Sequence, residues 1–141
     1  MASVFSMIIA GDIPGRFVWR DEVCVAFLSI NPLAPGHTLV VPRVEVDHFD
    51  ALDEDIWAHC QRVAQRIAVA QKAAFSPARI GMAVAGFEVP HVHIHVFPTR
   101  SLADHDWKRA ATSVSDAEFD DAAARLRAAL TAAGHNEVVT D

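Results

Sequence analysis

Three histidines stand at alternate positions in Pro90-His-Val-His-Ile-His-Val-Phe-Pro98: His91, His93 and His95. Side chains along an extended chain alternate between faces, so the three imidazoles share one face while Val92, Ile94 and Val96 take the other. Alternate residues lie about 6.6–7 Å apart, which makes a row about 13–14 Å long. Such a row costs desolvation and packs no better than Val or Thr would, so packing alone is a poor reason for it. Two chemistries fit. Imidazole nitrogen ligates zinc in tetrahedral geometry, although a three-His site normally draws a ligand from another strand. The other chemistry uses one neutral imidazole to attack phosphorus, while a second protonates the leaving group or holds phosphoryl oxygens. An ordinary imidazole pKa near 6.5 suits both roles at physiological pH. Three same-face positions of one strand are spread too far to converge easily on one ion with bonds of about 2.0–2.1 Å, so the spacing favours a nucleophile over a metal.

The elements that must position this row can be read from the surrounding pattern. Val4 to Ala10 is a short amphipathic opening of one or two helical turns, followed by a turn at Asp12-Ile-Pro-Gly-Arg16. Phe17–Arg20 and Val23–Phe27 read as two strands joined at Asp21-Glu22. Asn31-Pro-Leu-Ala-Pro-Gly36 is turn chemistry, and His37 to Pro42 reads as a third strand. The period then changes to three and four: Ile56, Cys60, Val63, Ile67 and Ala70 form one face of a helix. Asp53 is its N-cap, and Ser76-Pro77 ends it. Ile80–Val84 and Val92–Phe97 read as the fourth and fifth strands. Ser115-Asp-Ala-Glu118 has the form of a capping box, with Phe119, Ala123, Leu126, Leu130 and Ala133 as the buried face of a last helix that Gly134 finishes. This order implies an α+β fold: a five-stranded, mostly antiparallel sheet, one long helix after the third strand and a C-terminal helix.

Composition narrows the function classes. A chain of 141 residues fits a single domain, 1–141, and 52% hydrophobic with 21% charged residues is an ordinary globular balance. No apolar run approaches the roughly 18–20 residues of a membrane span, and the N-terminus shows no basic region of a secretory signal. Cys24 and Cys60 fall in a strand and a helix, which suits buried reduced thiols in a cytoplasmic protein better than a disulfide framework. A net charge of −6 disfavours nucleic-acid partners, which need a basic face. His48, His59, His105 and His135 read as surface or helix-face residues. Trp107 reads as packing, with covering the site as the alternative.

The His91-Val-His-Ile-His95-Val-Phe segment resembles the signature of the histidine triad (HIT) nucleotide-binding proteins. Cys24-Val-Ala-Phe-Leu-Ser-Ile-Asn-Pro-Leu-Ala-Pro-Gly-His-Thr-Leu-Val-Val-Pro42 is similar to that family's strand–loop–strand around a fourth histidine. The opening Phe5 to Pro14 is similar to its N-terminal segment. The likeness covers residues 4–100; residues 101–141, with the C-terminal helix, resemble nothing known. It implies a HIT-like fold, a homodimer, and hydrolysis or transfer of nucleoside monophosphate groups from phosphoramidates or related nucleotidyl compounds through a nucleotidyl-histidine. On this resemblance His93 is the nucleophile, His95 contacts the phosphate and assists the leaving group, and His91 and His37 orient and polarise the others. Phe5, Ile8, Phe27 and Ile30 fall in the apolar slot for the base. Ser29 stands where the family commonly has a ribose-gripping Asp, and Gly86, Phe87 and Glu88 lie in a shortened loop at the phosphate. The expected ligand is a purine nucleotide or nucleoside phosphoramidate, with no cofactor and no metal. A nucleotide-binding module with little turnover is the alternative, and a His-ligated metal protein a further one.

Overall fold

A computed structural model of the chain describes residues 2–139. One side of its sheet is a hairpin of β1 (Phe17–Arg20) and β2 (Cys24–Leu28), antiparallel and bulged between Phe17 and Trp19. Asp21 closes the hairpin: its Oδ1 accepts from the N–H groups of Val23 and Cys24 at 2.7 and 2.8 Å. β3 (Thr38–Pro42) pairs antiparallel with β2, β5 (Ile94–Thr99) pairs with β3, and β4 (Arg79–Ala83) takes the outer edge. The sheet therefore runs β1-β2-β3-β5-β4, and the expected five-stranded antiparallel α+β fold is what forms.

The long helix α2 (Glu54–Phe75) starts where Asp53 accepts from the N–H groups of Asp55 and Ile56. It ends at Ser76, which takes a left-handed conformation (φ 49°) just before Pro77. Cys60, Val63, Ala64, Ile67, Ala70 and Gln71 are its buried side. They pack with α3 (Asp116–Ala132) and with Val18, Ala26, Val40, Ile94 and Val96 from one face of the sheet. Buried Gln71 ties that layer to the turn before β3, donating from Nε2 to the carbonyls of Gly36 and Val96 at 2.9 Å each. Gly36 sits at φ +88°, and a Cβ there would run into the Phe75 ring, so only glycine serves. The short helix α1 (Val4–Ala10) lies against the opposite face, over Phe17, Val25, Phe27, Leu39 and Val41.

Several boundaries differ from expectation: β2 and β4 are each shifted by one residue, to Cys24–Leu28 and Arg79–Ala83, and β5 extends through Thr99. The third strand begins at Thr38, because the turn holds His37: its carbonyl accepts from the Ser29 N–H and its amide donates to Ala34. The fifth strand begins at Ile94, not Val92. β5 meets β3 only from Val40↔Ile94 onward. Before that, the Val92 N–H donates to the Val46 carbonyl and the His91 ring to the Pro42 carbonyl, so His91 and His93 lie on the extended approach to the strand, outside its ladder. In α3 the buried side is Ala122, Ala123, Leu126 and Leu130. Ala133 is the exposed C-cap, because the helix has already ended at Ala132.

Candidate active site

His37, His91, His93 and His95 are brought together beside the face that carries α1, and their hydrogen-bond partners dictate where each proton sits. The Leu33 N–H donates to His37 Nδ1 at 2.9 Å, so the proton of a neutral His37 is on Nε2. That Nε2–H points at His95 Nδ1, 3.0 Å away, which leaves the His95 proton on its Nε2. His93 Nδ1 lies 2.7 Å from the His91 carbonyl, which can only accept, so the free lone pair of His93 is on Nε2. His91 Nε2 lies 2.8 Å from the Pro42 carbonyl by the same logic, and its Nδ1 accepts from the Ser3 hydroxyl at 2.7 Å. The outcome is one unshared lone pair on His93 beside one unshared N–H on His95, with the two rings 4.8 Å apart.

Burial keeps His37, His93 and His95 neutral. It pushes His37 down to about 3, with the neighbouring His95 acting in the same sense. It takes His95 down to about 4, helped by His93. His93 is lowered by burial first; its bond to the His91 carbonyl and the nearby Glu88 carboxylate pull back upward, while His91 opposes them. At neutral pH the lone pair of His93 is therefore available.

The other sequence-derived positions divide into a floor, a rim and a neighbouring recess. Phe5 is buried edge-on against His93 (ring centroids 4.8 Å), Phe27 (5.5 Å) and His91 (6.0 Å). Phe5 and Phe27, with half-buried Ile8 packed on their cluster, make an apolar surface next to the lone pair. Ile30 is 76% exposed and Phe87 97%, and Glu88 is exposed with them. Gly86 turns the loop before the triad at φ +78°, with open space where a Cβ would stand. Ser29 is buried; its N–H donates to the His37 carbonyl and its hydroxyl accepts from the Asn31 N–H at 3.3 Å. It lines a recess of about 210 Å³ with Leu33, Gly36, His37, Arg109 and Phe119.

Trp107, expected to pack with covering the site as the alternative, lies against the histidines, and residues that the sequence did not single out join it. Trp107, 43% exposed on a single 3₁₀ turn (Trp107–Arg109), sets its ring edge-to-face on His95 at 4.6 Å and lies 6.0 Å from His37. Phe97 packs on His37 at 5.2 Å. Ser3, Ser6 and Glu45 form a hydrogen-bonded group behind His91. The Phe97 position could have been found from the strand alternation that marks His95. The Ser3–His91 contact spans 88 residues and leaves no local pattern.

A different cluster holds metal-ligand types. Asp21 Oδ2, Cys24 Sγ and His59 Nε2 lie within 4.8 Å of one another. Asp21 Oδ2 accepts from Trp19 Nε1 at 2.8 Å and from His59 Nε2 at 2.7 Å, which ties the β1–β2 hairpin to α2. It shares no residue with the histidine group.

The same domain and fold recur in known proteins. Residues 10–102 match the HIT domain model. An uncharacterized HIT-like protein of Methanocaldococcus jannaschii is 40% identical over 99 residues, covering 67% of this chain and 77% of that protein. Among solved structures, a Hit-like protein from Bartonella henselae superposes with a TM-score of 0.80 at 27% identity, over 90% of this chain and 95% of the other. A HIT family hydrolase from Legionella pneumophila gives a TM-score of 0.62 at 27% identity, over 72% and 96%.

Proposed function

This chain belongs to the HIT family, and on that premise we propose that it is a nucleotide-binding hydrolase or transferase acting on nucleoside phosphoramidates or related nucleotidyl compounds. The observation that carries this reading is the paired exposure of one imidazole lone pair, on His93 Nε2, and one imidazole N–H, on His95 Nε2. His93 attacks the α-phosphorus, forming an N–P bond as the bond to the leaving group breaks. The leaving nitrogen takes the Nε2 proton of His95. Water then attacks the phosphorus of the nucleotidyl-His93: a P–O bond forms as the His93 Nε2–P bond breaks, and the proton that water loses returns to His95, so both imidazoles end as they began. His37 holds His95 in the donating tautomer, and His91 holds His93 in the attacking one. Phe5, Ile8 and Phe27 offer the base an apolar floor, with Ile30 at its rim.

A C2 dimer suits the exposed edge of the sheet. Among the described residues β4 has no partner on its outer side, and Met82 (56% exposed) on β4 lines a groove of about 450 Å³ with Ile80, Ala68 and Arg62. The dimer and a cytoplasmic location belong to the proposal. Among the described residues no helix is long and apolar enough to cross a membrane.

The competing reading, a binding module with little turnover, draws on Ser29. Its hydroxyl is uncharged and already engaged by the Asn31 N–H, so it grips a ribose less firmly than a carboxylate would. Phosphorus-31 NMR of the protein with an adenosine phosphoramidate separates the two. Conversion to adenosine monophosphate and free amine is the expected result; saturable binding with the phosphoramidate intact would establish the binding module.

A further inference from the structure

We propose that Ser3, anchored by Glu45, is a positioning residue for the nucleophile: its hydroxyl holds the His91 ring in one tautomer and one orientation, and the carbonyl of that same residue holds His93. The proposal rests on the reading of His93 as nucleophile given above. Ser3 is 7% exposed and His91 is fully buried, so water cannot stand in for either partner. His91 Nε2 faces only the Pro42 carbonyl, at 2.8 Å, and must therefore carry the proton. Its Nδ1 then needs a donor, and the Ser3 hydroxyl at 2.7 Å is that donor. The Ser3 oxygen in turn accepts from the Ser6 N–H at 3.0 Å, and its one hydrogen goes to His91 Nδ1 at 2.7 Å in preference to the Ser6 hydroxyl oxygen at 3.3 Å.

Glu45 sets this short chain from the outside. One carboxylate oxygen accepts from the Ser3 N–H at 2.6 Å and from the Ser6 hydroxyl at 2.7 Å. Those bonds hold Glu45 down to about 2, so it remains an ionised acceptor and cannot reverse the direction of either bond. Four side chains from three separate segments, 3–6, 45 and 91, are thus locked to one another, and His93 Nδ1–H ends the series on the His91 carbonyl at 2.7 Å. Without the Ser3 hydroxyl, His91 Nδ1 is a buried acceptor with no donor. Turning the ring to the other tautomer would place a lone pair against the Pro42 carbonyl instead. Either change moves the His91 backbone from under His93 and lets His93 take the tautomer whose outward nitrogen has no lone pair.

Ser3 is also the N-cap of α1, and α1 carries Phe5 and Ile8, so the test must separate capping from proton placement. Glycine is tolerated at an N-cap but has no hydroxyl; threonine keeps both functions. Ser3→Gly and Ser3→Thr are compared with the unaltered protein by nitrogen-15 NMR of the imidazoles and by the single-turnover rate of nucleotidyl transfer from an adenosine phosphoramidate. Affinity for adenosine monophosphate is the control. Ser3→Gly should give mixed tautomers at His91 and His93 and slow transfer about tenfold or more, with affinity changed by less than about twofold. Ser3→Thr should recover both the single tautomers and most of the rate. Unchanged nitrogen shifts in Ser3→Gly would overturn the proposal, as would a loss confined to affinity or one that threonine does not recover. If the unaltered protein transfers no nucleotide, the nucleophile reading fails, and the nitrogen shifts alone still decide whether Ser3 sets the tautomers.

Discussion

Toward α2 and α3 the sheet presents Val18, Ala26, Val40, Ile94 and Val96, all apolar and at most 1% exposed. Toward α1 and the Trp107 turn the neighbouring strands and their approaches present His37, Leu39, His91, His93 and His95. On the first face stability comes from removing apolar area from water, and any residue of the right volume and shape contributes. On the second, each imidazole nitrogen has one specific partner, except for two nitrogens left open beside each other. A side chain on the first face is therefore replaceable in kind. One on the second is replaceable only if its proton inventory is kept.

The largest expected effect breaks that comparison cleanly. His93→Ala should cost at least about a thousandfold in turnover, because no other group is placed to attack phosphorus, with thermal stability little changed. Leu126→Ala, in the opposite layer, should do the reverse. Removing a fully buried leucine should cost about 2–5 kcal/mol in denaturant unfolding while kcat of the remaining folded protein stays near its original value. If either substitution moves both quantities together, the two faces are not independent.

Acid should also distinguish the faces. His37 and His95 are held below their ordinary 6.5, at about 3 and about 4, so the folded protein binds fewer protons than the unfolded chain in that interval. Their contribution is complete above pH 6.5 and is lost as pH falls toward those values. Asp21, tying the hairpin to α2, is half-buried, which alone would raise it, yet bonds from Trp19, Cys24, His59 and Val23 bring it to about 2. Its share is lost only below its ordinary 3.8. Urea unfolding at a series of pH values should therefore weaken first between 6.5 and 4, and His37→Gln should flatten that limb. The activity profile should lose its acid side below pH 6.5, since His93 is lowered and must be neutral to attack.

The smallest effect concerns Glu88 at the rim. Its carboxylate raises His93 against the pull of burial, so Glu88→Gln should shift the acid limb of the profile to lower pH. Removing a negative charge near a bound phosphate should also tighten nucleoside monophosphate binding a few-fold, in keeping with about 1 kcal/mol at close range in water. Calorimetry showing neither shift nor tightening would place Glu88 outside the influence of the site.

How much of this could be read beforehand follows the same division. α2 was legible because Cys60, Val63, Ile67 and Ala70 repeat with helical period and Asp53 caps them locally. The triad was legible because alternation is a period-two signal that survives even where the ladder does not reach His91 and His93. The start of β5 was not legible, because it depends on Pro42 ending the ladder on β3, a fact about a segment about fifty residues earlier. Ala133 was misplaced because helix ends are set by where capping begins, here one residue sooner than the apolar pattern suggests. Ser3 and Glu45 act through contacts across the fold, and nothing in their own neighbourhoods marks them; Trp107 stands out as a lone aromatic, but its place on His95 is a contact across the fold.

The central claim is that the lone pair of His93, turned outward by the His91 carbonyl, forms the bond to phosphorus. Brief incubation with an adenosine phosphoramidate, rapid quenching at alkaline pH and tandem mass spectrometry of the peptide spanning residues 80–100 tests it most directly. The account predicts a single added adenosine monophosphate on His93, absent in His93→Ala. An adduct on His91 or His95, or phosphoramidate turnover with no adduct on any histidine, would contradict it.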